Sequence, residues 1–227
     1  MEYPAEVSAP QRALIEQHLD LVLQANKTLN LTRIANREEA ELLHIEDSLV
    51  GLPECQQAPE GRYADIGSGG GFSGFPLAIV TGRQTLLVES VKKKAEMLEA
   101  FAEQLGLSSQ VSVYAGRTEE LAGHQPEAFS LITARALTAL PSLLELASPL
   151  LQQGGWLVAY KSDNVDDELE GALGIQDKLG MALRSDRHVL LSDGSTPRRI
   201  LVFEKVSEPQ VKLPRRPGMA QKRPYKA

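Results

Sequence analysis

The sequence has 227 residues, 42% of them hydrophobic, and a formal net charge of −6 at pH 7. This length suits one sizeable core with an appendage rather than two full domains. The chain contains no apolar run long enough for a membrane span, no secretory signal at its start, and a single cysteine, which excludes a disulfide framework. We therefore expect a soluble, cytoplasmic, monomeric protein with no membrane partner and no bound metal.

The first predicted elements are helical. Apolar residues recur at helical spacing between Pro10 and Asn26, and a second helical stretch follows from Arg37 to about Leu49. The next segment, GLPECQQAPEG (51–61), is rich in turn-forming residues and predicts a loop that contains Cys55. We assign residues 1–55 to an N-terminal helical cap.

Strands then alternate with helices through a predicted core at residues 56–207. The predicted strands are YADIG (63–67), TLLVES (85–90), QVSVYAG (110–116), FSLITAR (129–135), GGWLVAYKS (154–162), HVLLS (188–192) and RRILVFEKV (198–206). Helices are predicted from about Gly74 and from about Lys92 to Leu105. The alternation predicts an α/β fold with a doubly wound, mostly parallel seven-stranded sheet of Rossmann-like type. The last two strands flank the turn-former DGSTP, which predicts an antiparallel C-terminal hairpin.

The C-terminal segment 208–227 differs in charge from the rest of the chain. Six basic residues and no acid lie between Val211 and Ala227, which leaves 18 basic and 30 acidic residues elsewhere. Two interpretations stay open: a solvated, disordered tail, or a basic tail that grips phosphates.

The most informative local pattern is the segment YADIGSGGGFSGFP (63–76), in which a short strand leads through five glycines into a helix. Such a turn keeps side chains away from a ligand at the carboxyl edge of the sheet. A dinucleotide site would show G-x-G-x-x-G, whereas Gly67, Gly69 and Gly71 form G-x-G-x-G. Asp65, two residues upstream, would repel a pyrophosphate and suits a cation. The pattern therefore favours S-adenosylmethionine, which has a sulfonium, an ammonium and no phosphate.

Further candidates lie at the ends of the next strands. Glu89 closes the second strand, where its carboxylate can accept hydrogen bonds from both ribose hydroxyls; the alternative is an ion pair with Lys92 or Lys93. Thr118 and Glu119 follow the third strand, where adenine is usually met, although they would equally suit the first turn of a helix. Arg135 follows the fourth strand and could fix a carboxylate or phosphate, or pair with an acid such as Asp65.

Seven motifs stand out along the chain: NLTRI (30–34), HIEDSL (44–49), DIGSGGGFSGFPLAI (65–79), LLVESVKKK (86–94), GRTEEL (116–121), TARAL (133–137) and LPRRPGMAQKRP (213–224). With them, the chain resembles the bacterial 16S ribosomal RNA guanine-N7 methyltransferase family, also called glucose-inhibited division protein B, over nearly its full length. One departure is Ser73, where the family usually has proline.

The resemblance implies a class I methyltransferase core that uses S-adenosylmethionine to methylate a guanine in 16S rRNA of the small ribosomal subunit. The implied cofactor residues are Gly67, Phe72, Glu89, Thr118, Glu119 and Arg135. The implied substrate or RNA residues are His44, Asp47, Lys161, Arg215, Arg216, Lys222 and Arg223.

Guanine N7 has a lone pair and no proton, so this reaction needs no general base, and Arg135 would act by positioning. Three alternatives stay open from the residues alone. One is a methyltransferase for another RNA, a protein or a small molecule. The others are a nicotinamide oxidoreductase, which the glycine spacing disfavours, and a non-catalytic RNA-binding factor.

Overall fold

The computed structural model describes residues 3–29, 31–34 and 36–226. Asn30, the first residue of the NLTRI motif, lies outside these residues, as do the two chain ends of the predicted cap and tail. The seven strands are β1 (Tyr63–Ile66), β2 (Thr85–Glu89), β3 (Val111–Ala115), β4 (Phe129–Arg135), β5 (Leu151–Ser162), β6 (Met181–Leu190) and β7 (Pro197–Lys205). They form one sheet in the order β3-β2-β1-β4-β5-β7-β6, which confirms the predicted α/β class.

The sheet reverses its winding between β1 and β4. Strand β1 pairs in parallel with β2 on one side and with β4 on the other, so the chain crosses over the sheet after β3. The carboxyl ends of β1 and β4 consequently diverge into a crevice, which is where ligands bind in doubly wound sheets. The glycine-rich turn and Arg135 both lie at this edge.

The predicted antiparallel C-terminal hairpin is confirmed, because β7 runs antiparallel to both β5 and β6. Strand β6 begins at Met181, however, well before the predicted start at His188, and β5 begins at Leu151 rather than Gly154. The early part of β6 is half-exposed and polar, so it has no clear alternation of apolar residues. Its charged side chains are satisfied by partners distant in sequence, as when Asp186 pairs with Arg199.

Ten α-helices cover the faces and cap one end within the described residues. Their bounds are α1 (Ala9–Leu29), α2 (Arg37–Ala40), α3 (Asp47–Leu49), α4 (Leu52–Gln57), α5 (Gly74–Thr81), α6 (Lys92–Gln104), α7 (Thr118–His124), α8 (Leu140–Ala147), α9 (Asp166–Leu173) and α10 (Met219–Lys222). A π-helical turn at Glu41–Glu46 joins α2 to α3, and a 3₁₀ turn covers Asp177–Leu179. Alternate residues of each parallel strand enter opposite cores: Leu87 packs on the side of α1, α5 and α6, whereas Leu86 and Val88 pack on the side of α7 and α8.

The prediction of a loop at 51–61 was wrong for its first half, because α4 occupies Leu52–Gln57. Pro53 lies in the first turn of this helix, where a missing N–H costs nothing. Cys55 is fully buried, and burial raises the pKa of its thiol. Arg83 donates hydrogen bonds to the carbonyl oxygens of Cys55 and Ala58, so the end of α4 is held by a distant side chain that local sequence cannot reveal.

The N-terminal helices share a core with the sheet: Ile15, Leu19 and Val22 of α1 are fully buried in the same cluster as Phe75 of α5. The division into 1–55, 56–207 and 208–227 stays a prediction. Of the helices in residues 3–29, 31–34 and 36–226, none has the combined length and apolar character needed to cross a membrane.

Candidate functional site

The glycine-rich turn after β1 is held by backbone contacts. The N–H groups of Gly67 and Ser68 donate to the carbonyl oxygen of Val88, at 2.9 and 3.1 Å, and the Gly71 N–H donates to the Ser68 carbonyl at 2.7 Å. Gly67 has φ +74°, and a Cβ there would lie 2.6 Å from Leu137. A Cβ on Gly69, at φ +56°, would meet only a carbonyl oxygen at 3.9 Å and would project into open space. The turn therefore exposes bare backbone that a side chain would cover.

Glu89 ends β2 beside this turn. Its carboxylate accepts the N–H of Gly69 at 3.0 Å and the N–H of Val91 at 2.7 Å. The alternative of an ion pair with Lys92 is not what the structure shows, since Lys92 lies 3.8 Å from Glu96 instead. Glu89 is thus fixed in place by backbone donors, with lone pairs left for a ligand.

Asp65 is almost fully buried, with 2% of its surface exposed. Thr133 donates to it at 2.6 Å from the neighbouring strand. Burial raises the pKa of Asp65 to about 6, against the opposing effect of the Thr133 hydrogen bond and the charge of Arg135. Because Asp65 is buried, a nearby positive group would strongly stabilise its ionised form.

His44 and Phe72 stack against each other. Their ring centroids lie 3.7 Å apart at an interplanar angle of 14°, and the Arg135 guanidinium lies 5.8 Å from the Phe72 centroid. His44 is on the π-helical turn, a feature that often re-aims side chains at functional sites. Burial and the charge of Arg135 lower the pKa of His44 to about 4, so the ring is neutral near pH 7. Phe72 thereby joins the glycine-rich turn to the cap.

Asp47 receives two arginines. Arg135 donates to one carboxylate oxygen at 3.0 Å and Arg198 of β7 donates to the other at 2.7 Å. Arg135 also donates to the carbonyl of Leu43 at 3.3 Å. The expected alternative, an ion pair between Arg135 and Asp65, is therefore corrected: the acid that Arg135 contacts is Asp47, which the cap brings to the end of β4.

Two cavities adjoin at this edge of the sheet. The first, which we call the turn cavity, measures about 360 Å³, and its lining includes Asp65, Gly67, Gly69, Phe72 and Glu89. The second, which we call the arginine cavity, measures about 500 Å³, and its lining includes Asp47, Tyr160, Lys161, Glu168 and Arg198. Both cavities are lined by His44, Arg135 and Ala136, so these three residues lie at the boundary between them.

A narrower space, which we call the tail cleft, continues from the turn cavity past the ends of β2 and β3. Gly67, Ser90 and Leu137 line both spaces, and the cleft is further lined by Thr118 and Glu119, which follow β3. Glu119 also accepts the N–H of Gly218 at 2.6 Å.

The structure separates the predicted substrate residues into two places. His44, Asp47 and Lys161 line the arginine cavity, where Lys161 pairs with Glu168 at 2.7 Å. The tail lies elsewhere, beside α7 and α8. Its basic residues differ in exposure: Arg215 is paired with the buried Glu145, whereas Arg216, Lys222 and Arg223 are exposed.

Arg198 is the main residue that sequence analysis missed at this site. It stands at the start of a predicted strand, beside Arg199, and nothing local distinguishes the two. In the structure Arg199 forms ion pairs with Asp186 and Asp166, whereas Arg198 forms an ion pair with Asp47. Gln221 is a second missed residue, since it lines the tail cleft.

A family model described as rRNA small subunit methyltransferase G matches residues 11–181. The chain belongs to the rRNA small subunit methyltransferase G family. Two relatives named ribosomal RNA small subunit methyltransferase G support this. The one from Streptococcus sanguinis is 34% identical, covering 96% of this chain and 93% of that protein. The one from Carboxydothermus hydrogenoformans is 33% identical, covering 98% and 95%.

A solved structure shares the fold with this family member. The O-methyltransferase from Bacillus cereus, solved in complex with S-adenosylhomocysteine (SAH), has a TM-score of 0.58 and 19% identity, covering 88% of this chain and 98% of that chain. Family membership confirms the resemblance stated from the sequence motifs, and the shared fold confirms the predicted sheet. The roles of individual site residues stay predictions.

Proposed function

We propose that this protein transfers the methyl group of S-adenosylmethionine to N7 of a guanine in 16S rRNA of the small ribosomal subunit, and that it acts in the cytoplasm. The observation that carries the proposal is the pair of adjoining cavities at the carboxyl edge of the sheet. One is built from a bare glycine turn and acids, the other from arginines and a lysine.

The turn cavity suits S-adenosylmethionine. The backbone at Gly69 is a surface that a Cβ would fill, and Glu89 is oriented to accept ribose hydroxyls. Asp65 offers negative charge toward a sulfonium or ammonium group. Thr118 and Glu119 would meet the base. These residues fit a cationic nucleoside better than a diphosphate.

The arginine cavity suits an RNA nucleotide. Arg135, Arg198 and Lys161 place three positive charges around it, with Asp47 and Glu168 as their counter-ions. Arginine and lysine are the side chains that contact RNA phosphates, and a guanine must be unstacked to reach an enclosed site. His44, neutral and at the boundary, would lie between the base and the cofactor.

The reaction makes modest demands on the chain. S-adenosylmethionine, when bound, supplies an electrophilic methyl group on a sulfonium. Because guanine N7 carries no proton, no side chain has to remove one. The glycine turn and Glu89 hold one reactant, while Arg135 and Lys161 hold the other, and such alignment is worth up to about 7–11 kcal/mol of the barrier. Phe72 and Leu137 add apolar surface to the lining of the turn cavity.

The experiment that tests the proposal uses S-adenosylmethionine with a radiolabelled methyl group. The substrates, assayed separately, are small subunits, naked 16S rRNA and a metabolite extract from bacteria that lack this protein. We expect label in 7-methylguanosine after nuclease digestion. Label in another nucleoside, or only in a metabolite extract, would overturn the assignment, and RNA binding without transfer would make the protein a binding factor.

A further inference from the structure

The C-terminal tail is ordered by contacts with α8 and α7. Arg215 donates to both oxygens of the buried Glu145, at 2.6 and 2.5 Å, and to the carbonyl of Arg223 at 2.8 Å, while its guanidinium lies 4.2 Å from the Tyr225 ring. One arginine thus ties two parts of the tail to each other and to α8. Because Glu145 is buried, this charged pair is not a weak surface contact.

Two further hydrogen bonds fix the centre of the tail. The hydroxyl of Ser142 donates to the carbonyl of Ala220 at 2.7 Å, in a fully buried position. The N–H of Gly218, a residue at φ +78°, donates to Glu119 at 2.6 Å. Glu119 is in the first turn of α7 and lines the tail cleft, so the tail is anchored on the wall of the cleft itself.

These anchors place Gln221 at the cleft, which is also lined by Gly116 and Thr118. The cleft lies at the ends of β2 and β3, and neighbouring strands are about 4.8 Å apart. A ligand whose ribose contacts Glu89 would therefore extend its base by about one strand, into the cleft. A glutamine amide has a donor and an acceptor side by side, the pattern that pairs with the edge of adenine.

We propose that the C-terminal tail is a clasp on the cofactor site, in which Gln221 hydrogen-bonds the adenine of the bound cofactor. This rests on the proposed function, because it requires S-adenosylmethionine in the turn cavity. It gives Arg215 the role of an anchor for the clasp. No part of the glycine-rich motif carries this contact; the tail, more than a hundred residues later in the chain, supplies it.

The test compares Gln221→Ala with Gln210→Ala in the full chain, by calorimetric titration with SAH. Gln210 is an exposed glutamine of the same segment and does not line the cleft, so it is a matched control. We expect the Gln221 variant to bind SAH about 3- to 10-fold more weakly than wild type, the loss of one or two hydrogen bonds, and the Gln210 variant to bind as wild type.

A second ligand separates an adenine contact from a general loosening of the tail. S-ribosylhomocysteine lacks the base, so its affinity, measured by competition, should be the same for wild type and Gln221→Ala. Equal SAH affinities in the two variants, or equal losses on both ligands, would overturn the clasp while leaving the proposed function intact. If wild type itself fails to bind SAH, the proposed function fails instead.

Discussion

The two cavities at the sheet edge differ in the residues that line them. Seven of the residues that line the turn cavity belong to one contiguous segment, 65–73, and Glu89 beside them is held by two backbone N–H groups. The arginine cavity is lined by charged side chains from the cap, β4, β5, β7 and α9, which pair with each other. The first surface is fixed before a ligand arrives. In the arginine cavity the positive side chains are already paired with carboxylates, so a phosphate would have to compete with those carboxylates.

Removing Asp47 should have the largest effect, and it falls on the arginine cavity. Asp47→Ala leaves Arg135 and Arg198 close together without their shared counter-ion, in a largely buried position. We expect a loss of about 3–5 kcal/mol in the free energy of unfolding, measured by urea titration.

A matched control is Asp20→Ala, since Asp20 pairs with Arg37 at an exposed site and should cost no more than about 1 kcal/mol. Equal losses in the two variants would mean that the Asp47 pairs are ordinary surface contacts.

The next largest effect is a pH dependence of the free energy of unfolding, which comes from the contact between α1 and the glycine-rich turn. His18 is fully buried, lies 3.0 Å from the Gly70 carbonyl, and has a pKa lowered to about 4 by burial. The unfolded chain binds this proton below about pH 6.5, while the folded chain does not until about pH 4. Stability from this group is therefore present above pH 6.5 and is lost as pH falls, by up to about 3 kcal/mol at pH 4.

Unfolding of wild type and His18→Gln between pH 7 and 4 isolates this contribution, with exposed His124→Gln as the control. The gap between wild type and the His18 variant should narrow, or reverse, toward pH 4. A gap that does not change with pH would show that folding does not lower the pKa of His18.

A smaller effect should separate the glycine turn from ordinary tight turns. Gly69→Ala and Gly82→Ala both place a Cβ on a residue with positive φ, +56° and +69°, with nothing closer than 3.9 Å. Each should cost about 1 kcal/mol of stability. Only the Gly69 variant fills the turn cavity, so only it should weaken SAH binding, by at least about 10-fold in calorimetry. If the Gly69 and Gly82 variants bound SAH with equal affinity, the glycine-rich turn would not be part of the cofactor site.

The smallest effect concerns the tail. If Arg216, Lys222 and Arg223 contact phosphates, changing all three to glutamine should reduce the log–log salt slope of RNA binding by about 2. Arg215→Gln should leave that slope nearly unchanged and lower stability instead, because its guanidinium is already committed to Glu145. A slope that moves only in the Arg215 variant would reverse these roles.

The same contrast explains what the sequence could predict. The strands, the glycine turn and Glu89 follow from short contiguous patterns, because strand alternation and glycine spacing are local properties. Helix α4 was missed because its end depends on Arg83, and the early part of β6 because its charges pair across the sheet.

The partner of Arg135 shows the limit most clearly. The sequence suggested Asp65 as an acid that could pair with Arg135. In the structure the cap places Asp47 beside Arg135 instead, and β7 places Arg198 beside the same carboxylate. Such a contact depends on how elements pack, so no spacing within one motif predicts it. The clasp by Gln221 is of the same kind.

The central claim is that the turn cavity holds the cofactor and the arginine cavity holds the target base. A crystal structure with SAH tests it most directly. We expect the ribose hydroxyls on Glu89, the base in the tail cleft, and the sulfur directed toward the boundary formed by His44 and Arg135. A ligand bound away from the glycine turn, or with its sulfur directed away from the arginine cavity, would contradict the account.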